Sequence, residues 1–88
     1  MSLLAALQRG IKIALNENDH NPPHVHMKCA EGIFKIYLDS LRVEVITGNE
    51  RKAAVYLQIA KEWMLEHSLE LRQRWSDKEA GRKVRPIR

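Results

Sequence analysis

Four runs in which apolar and polar residues alternate with a period of two constrain this chain more than any other feature. Ile11, Ile13 and Leu15 alternate with Lys12 and Ala14; Val25, Met27 and Cys29 alternate with His24, His26 and Lys28. Phe34, Ile36 and Leu38 share one side of the third run, and Leu41, Val43 and Val45 one side of the fourth. Successive side chains of a strand point to opposite faces, so each run predicts a half-buried strand. Glu31-Gly32 and Asp39-Ser40 fit two-residue turns, which makes the last three runs a meander. Those turns would oppose Cys29 to Phe34, Met27 to Ile36 and Ile36 to Val43. One face of the sheet is then apolar throughout, and the other carries the rows His26, Tyr37, Arg42 and Lys28, Lys35, Glu44.

Such a face needs a cover, and the sequence supplies one after Thr47-Gly48-Asn49, where Asn49 or Thr47 offers a helix cap. Ala53, Leu57, Ala60, Met64, Leu71 and Trp75 recur at helical spacing, with Tyr56, Ile59 and Trp63 widening the stripe. His67-Ser68 interrupts it, so the stripe reads as one long helix or two shorter ones. The predicted fold class is α+β: an antiparallel sheet of about four strands with a His-rich strand, packed on one face by C-terminal amphipathic helix. The stripe ends at Trp75, and five of the fifteen basic residues fall in the last eleven positions. This predicts one domain over 1–77 and a basic, flexible tail over 78–88.

A net charge of +4 favours an anionic partner, and the lone Cys29 excludes an internal disulfide. No apolar run approaches a membrane span, and the apolar opening lacks the basic region of a signal peptide. A cytoplasmic protein without a membrane partner is the expectation.

Chemistry concentrates in Asp19-His20-Asn21-Pro22-Pro23-His24-Val25-His26, which holds three of the four histidines. The two prolines stiffen the loop, and His24 and His26, two apart on a strand, point the same way. One reading is acid/base catalysis on RNA without a metal: His24 and His26 exchange protons, Asp19 orients an imidazole, and Tyr37 assists. Arg42, Lys28 and Lys35 would then contact phosphate. No cofactor is required in that reading. The alternative is a small metal-binding protein in which His20, His24 and His26 hold a divalent transition metal such as zinc. Cys29 faces the core and is excluded as a ligand. A third reading is a noncatalytic module that binds a protein or DNA. Trp63 and Trp75 sit on the helical stripe and read as packing anchors.

The octapeptide resembles the DH-x-PPH-x-H motif of a widespread bacterial family of small proteins of unknown function. The resemblance extends from Ile11 through the strands to Trp63 and Trp75, about three quarters of the chain. It carries over Asp19, His20, Pro22, Pro23, His24 and His26 as the motif, without established roles. It implies a small α+β protein, often encoded beside another small protein in a toxin–antitoxin-like pair. The implied role is a toxin-like component acting on RNA, with an antitoxin-like regulatory module as the alternative and a cognate small protein as partner. The chain departs from the family pattern after Gly48, where Asn49-Glu50-Arg51 replaces the usual Leu-Pro or Leu-Ser helix entry.

Overall fold

A computed structural model of the protein describes residues 1–87. Five antiparallel strands lie in sequence order across one sheet: β1 (Ser2–Ala6), β2 (Lys12–Leu15), β3 (His24–Cys29), β4 (Gly32–Tyr37) and β5 (Val43–Gly48). Two helices follow, α1 (Ala54–Glu66) and α2 (Ser68–Glu79). The α+β class and the meander stand as expected, with one strand more.

The additional strand is β1. Its pairing with β2 skips a residue between Leu3 and Ala5, so Leu4 forms a bulge and turns into the core, where it is fully buried. A bulge frees a ladder carbonyl, and the Leu4 carbonyl accepts the Ile87 N–H at 2.7 Å. Val84 and Ile87 are buried and belong to the core cluster, and the Arg74 guanidinium donates to the carbonyls of Arg85 and Pro86. The end of the chain expected as a flexible basic tail is therefore docked at the β1 side. Two apolar residues among the charges suffice to anchor it, and Lys78 and Glu79 already belong to α2.

The β4–β5 register agrees with expectation, with Phe34 opposite Val45 and Ile36 opposite Val43. The β3–β4 register does not. Met27 faces Phe34, Val25 faces Ile36 and Cys29 faces Gly32, so the connecting turn is Ala30-Glu31. Gly32 is held in the ladder because it lies against Gly48, and both have positive φ. A two-residue shift preserves the faces but changes the neighbours. His26 now stands beside Lys35, which pairs with Glu44, while His24 stands beside Tyr37. Lys28 lies opposite Ile33 rather than Lys35.

Leu57, Ala60 and Met64 of α1 and Leu71 and Trp75 of α2 are buried against Ile13, Val25, Met27, Phe34 and Ile36 of the sheet. Tyr56, Ile59 and Trp63 pack partly buried beside them. Each fully buried side chain of this kind contributes about 1.5–3 kcal/mol before the entropy of ordering the chain is subtracted. The stripe divides at His67, giving the two-helix alternative, and His67 lies against Trp63 with ring centroids 4.7 Å apart. Ahead of α1, Asn49 caps the entering turn by accepting the Lys52 N–H at 3.0 Å through its side chain. Val45 remains 46% exposed on β5 at the open edge of the sheet. No helix among the described residues is long and apolar enough to cross a membrane.

Candidate metal centre

The loop from β2 to β3 is shaped first by its own polar residues. The Asn16 side chain accepts the Asn18 N–H at 3.0 Å, and the Asn16 carbonyl accepts the Asp19 N–H at 3.1 Å. That turn lifts Asp19 back over the start of β3. The second half of α2 then fixes the loop from outside. Lys78 Nζ donates to the Asp19 carbonyl oxygen, and Trp75 Nε1–H donates to Asn21 Oδ1 at 3.2 Å. Asn21 Nδ2 donates in turn to Glu79 Oε1 at 3.1 Å, while the Pro23 carbonyl accepts the Leu38 N–H at 3.0 Å. The Asn21–Pro22 peptide is cis.

Held in this way, Asp19 Oδ2 lies 2.9 Å from His24 Nε2 and 3.4 Å from His26 Nε2. One ligand atom from each of Asp19, His24 and His26 fits within 4.8 Å of the others. His24 is buried, packed between Trp75, Tyr37 and His26 with ring centroids 5.5 to 5.6 Å away. Its Nδ1 is 2.8 Å from the Pro22 carbonyl oxygen, which can only accept, so Nδ1 carries the proton. A neutral imidazole has no second N–H. Its Nε2 lone pair then faces the Asp19 carboxylate, and the gap between them calls for a cation, either a further proton or a metal ion. A carbonyl that fixes the tautomer of a histidine and aims its other nitrogen is the usual outer support of a metal ligand.

His26 is less buried and opens onto the uncovered sheet face. Burial holds its imidazole below the ordinary histidine value; the Asp19 charge opposes this, and His24 and Lys35 reinforce it. The neutral form, which can ligate, is thereby favoured.

The other expected site residues divide differently. His20 is exposed and is not a member of the cluster; Asp19 takes the place it was expected to hold in the metal set. Tyr37 lies against His24, but its hydroxyl donates to Glu44 Oε2 at 2.9 Å. Arg42 covers the Tyr37 ring at 4.4 Å and pairs with Glu44 at 3.5 Å, and Lys35 pairs with the same carboxylate at 3.8 Å. The Tyr37 hydrogen bond, with Lys35 and Arg42, holds the Glu44 carboxyl below its ordinary value. Lys28 is exposed, and Cys29 packs at the edge of the core, outside the cluster. Lys78 was hidden from sequence reasoning because it sits in the charged run beyond the helical stripe. Its side chain is buried, with Nζ 4.0 Å from the centre of the Trp75 ring. The one available signal was its spacing, three residues after Trp75 on the same helical side.

No curated protein and no solved structure matches the chain. The sequence model of one family covers residues 10–76, a span that includes the loop and β3. The chain therefore belongs to the family described as Domain of unknown function (DUF4160).

Proposed function

We propose that this is a metal-binding protein whose Asp19, His24 and His26 hold a divalent transition metal of the zinc class. The observation that carries the reading is one carboxylate oxygen set between two imidazole nitrogens, with the buried His24 locked by Pro22 in the ligating tautomer. Metal–ligand bonds of about 2.0–2.1 Å in a tetrahedron put ligand atoms roughly 3.3 Å apart. The two separations to Asp19, 2.9 and 3.4 Å, lie near that spacing, and all three ligand atoms fall within 4.8 Å of one another. Three protein ligands leave a fourth position for water or a substrate atom.

The metal-independent, toxin-like ribonuclease expected from the sequence has less support. It needs Tyr37 and Arg42 free to meet a substrate, and both are engaged with Glu44.

Zinc titration by calorimetry, with protein first stripped by chelator, tests the proposal. The wild-type chain is expected to take one equivalent. Asp19→Ala and His26→Ala are expected to lose that binding, and His20→Ala to retain it. Zinc at a hundred times its Kd should also raise the unfolding free energy by about 2.7 kcal/mol, in the wild type and His20→Ala only. Binding that survives both cluster substitutions, or is lost with His20, would overturn the assignment.

A further inference from the structure

The uncovered face of the sheet carries a groove of about 340 Å³ that ends at His26. Its floor is Leu3, Ala14 and Ile33, and Lys12 and Lys28 stand at its rim. The strand register builds this arrangement: Leu3 opposes Ala14, Ala14 opposes His26, Lys12 opposes Lys28, and Lys28 opposes Ile33. Leu3 is 48% exposed, so the floor meets solvent.

We infer that this groove binds single-stranded RNA, one nucleotide lying in the groove with its base on the apolar floor and its phosphates on Lys12 and Lys28. Three observations lead there. The two lysines are not neutralised: among the described residues neither Lys12 nor Lys28 has a carboxylate within ion-pairing distance, unlike Lys35, and the carboxylates next to the groove, Glu17 and Asp19, are paired with the Met1 amino group and with His26. The two lysines are adjacent across the β2–β3 pair, an unfavourable placement unless anionic groups lie over them. The floor side chains are aliphatic and carry no hydrogen-bonding group, which permits apolar contact with the face of a base and gives no means of reading its edge. Unpaired bases are what RNA ordinarily presents, whereas those of duplex DNA are stacked inside. A volume near 340 Å³ also lies at the small end of ligand clefts, about the size of one nucleotide.

This ligand differs in its contacts from the phosphate set expected from sequence. Lys28 remains, Lys12 joins it, and Arg42 and Lys35 are held by Glu44. The inference does not require the metal, because neither lysine belongs to the metal cluster. A strand in the groove would nevertheless pass directly beside His26.

Fluorescence polarisation with a short labelled oligouridine, run with zinc-loaded protein, decides the matter. The double variant Lys12→Ala/Lys28→Ala is expected to bind at least about tenfold more weakly. The slope of log affinity against log salt should flatten by about 1.4, the value for two phosphate contacts on a single strand. Lys83→Ala/Arg85→Ala, outside the groove, should bind as the wild type does. Zinc titration of the Lys12/Lys28 variant should remain intact, so failure here is distinct from failure of the metal assignment. Unchanged RNA affinity in the Lys12/Lys28 variant would overturn the inference. So would tighter binding to duplex DNA, or a groove occupied by a second copy, seen as concentration-dependent dimerisation that the lysine substitutions alter without affecting RNA.

Discussion

Replacing His24 with alanine is expected to destabilise the domain by about 3 kcal/mol and to remove its zinc binding in the same step. The stability loss has two sources. The imidazole is buried among Trp75, Tyr37 and His26, and deleting a buried ring of this kind leaves a cavity costing about 3 kcal/mol or more. The Pro22 carbonyl and one side of the Asp19 carboxylate also lose their partner, at about 1–3 kcal/mol each where water cannot replace it. Partial relaxation of the loop offsets some of this. Total stability for a domain of this size is about 5–15 kcal/mol, so the variant should fold but melt early. His24→Leu restores the volume without the ligand atom, and is expected to lose less stability while losing zinc equally. Urea denaturation combined with zinc titration reads both effects. An alanine variant that binds zinc like the wild type would remove His24 from the centre.

The second large effect concerns the close approach of two glycines at the β4–β5 end. A Cβ on Gly32 would stand 2.2 Å from the Thr47 carbonyl oxygen and 2.8 Å from the Gly48 Cα. A Cβ on Gly48 would stand 2.1 Å from the Glu31 carbonyl oxygen. These neighbours are backbone atoms, so no side chain can swing aside. Both residues also have φ in the left-handed half of the map, +139° and +95°. Gly32→Ala and Gly48→Ala are each expected to cost about 2–3 kcal/mol. Because either substitution must spread the same pair of strands, the double variant should cost clearly less than the sum. Additive losses in a double-mutant cycle would mean that the two glycines are strained independently.

Much of the fold was legible because it rests on burial patterns. The alternation at Ile11–Leu15 and the stripe through Leu57, Ala60, Met64 and Leu71 report directly which side of an element loses water. What escaped reading was set by contacts between distant residues. The β1 strand was hidden because its bulge at Leu4 breaks the alternation, and short alanine side chains give little contrast. The β3–β4 register slipped because Gly32 looks like a turn residue; it is glycine for the sake of Gly48, sixteen positions away. The docked C-terminal segment depends on Val84 entering the core and on the Ile87 N–H reaching a bulge carbonyl at the other end of the chain.

The candidate site was legible in the same partial way. Strand periodicity placed His24 and His26 on one side, and the loop brought Asp19 to them. Which of Asp19 and His20 turns inward was not readable, since a single residue in a proline-stiffened loop changes direction with the turn that precedes it. Nor was the role of α2, because Lys78 and Glu79 meet the loop at Asp19 and Asn21 across nearly sixty residues of sequence. Tyr37 and Arg42 were read as one row of the polar face with His26; Arg42 is exposed, but Tyr37 is buried and stands beside His24. Their engagement with Glu44 follows from the register.

The most direct measurement of the central claim is X-ray absorption at the metal edge of the zinc-loaded protein, with His26→Ala alongside. A shell containing two imidazole nitrogens and a carboxylate oxygen at about 2.0–2.2 Å, losing one imidazole in the variant, is the predicted result. A shell without imidazole, or one that His26→Ala leaves unchanged, would contradict the assignment of Asp19, His24 and His26 as a metal centre.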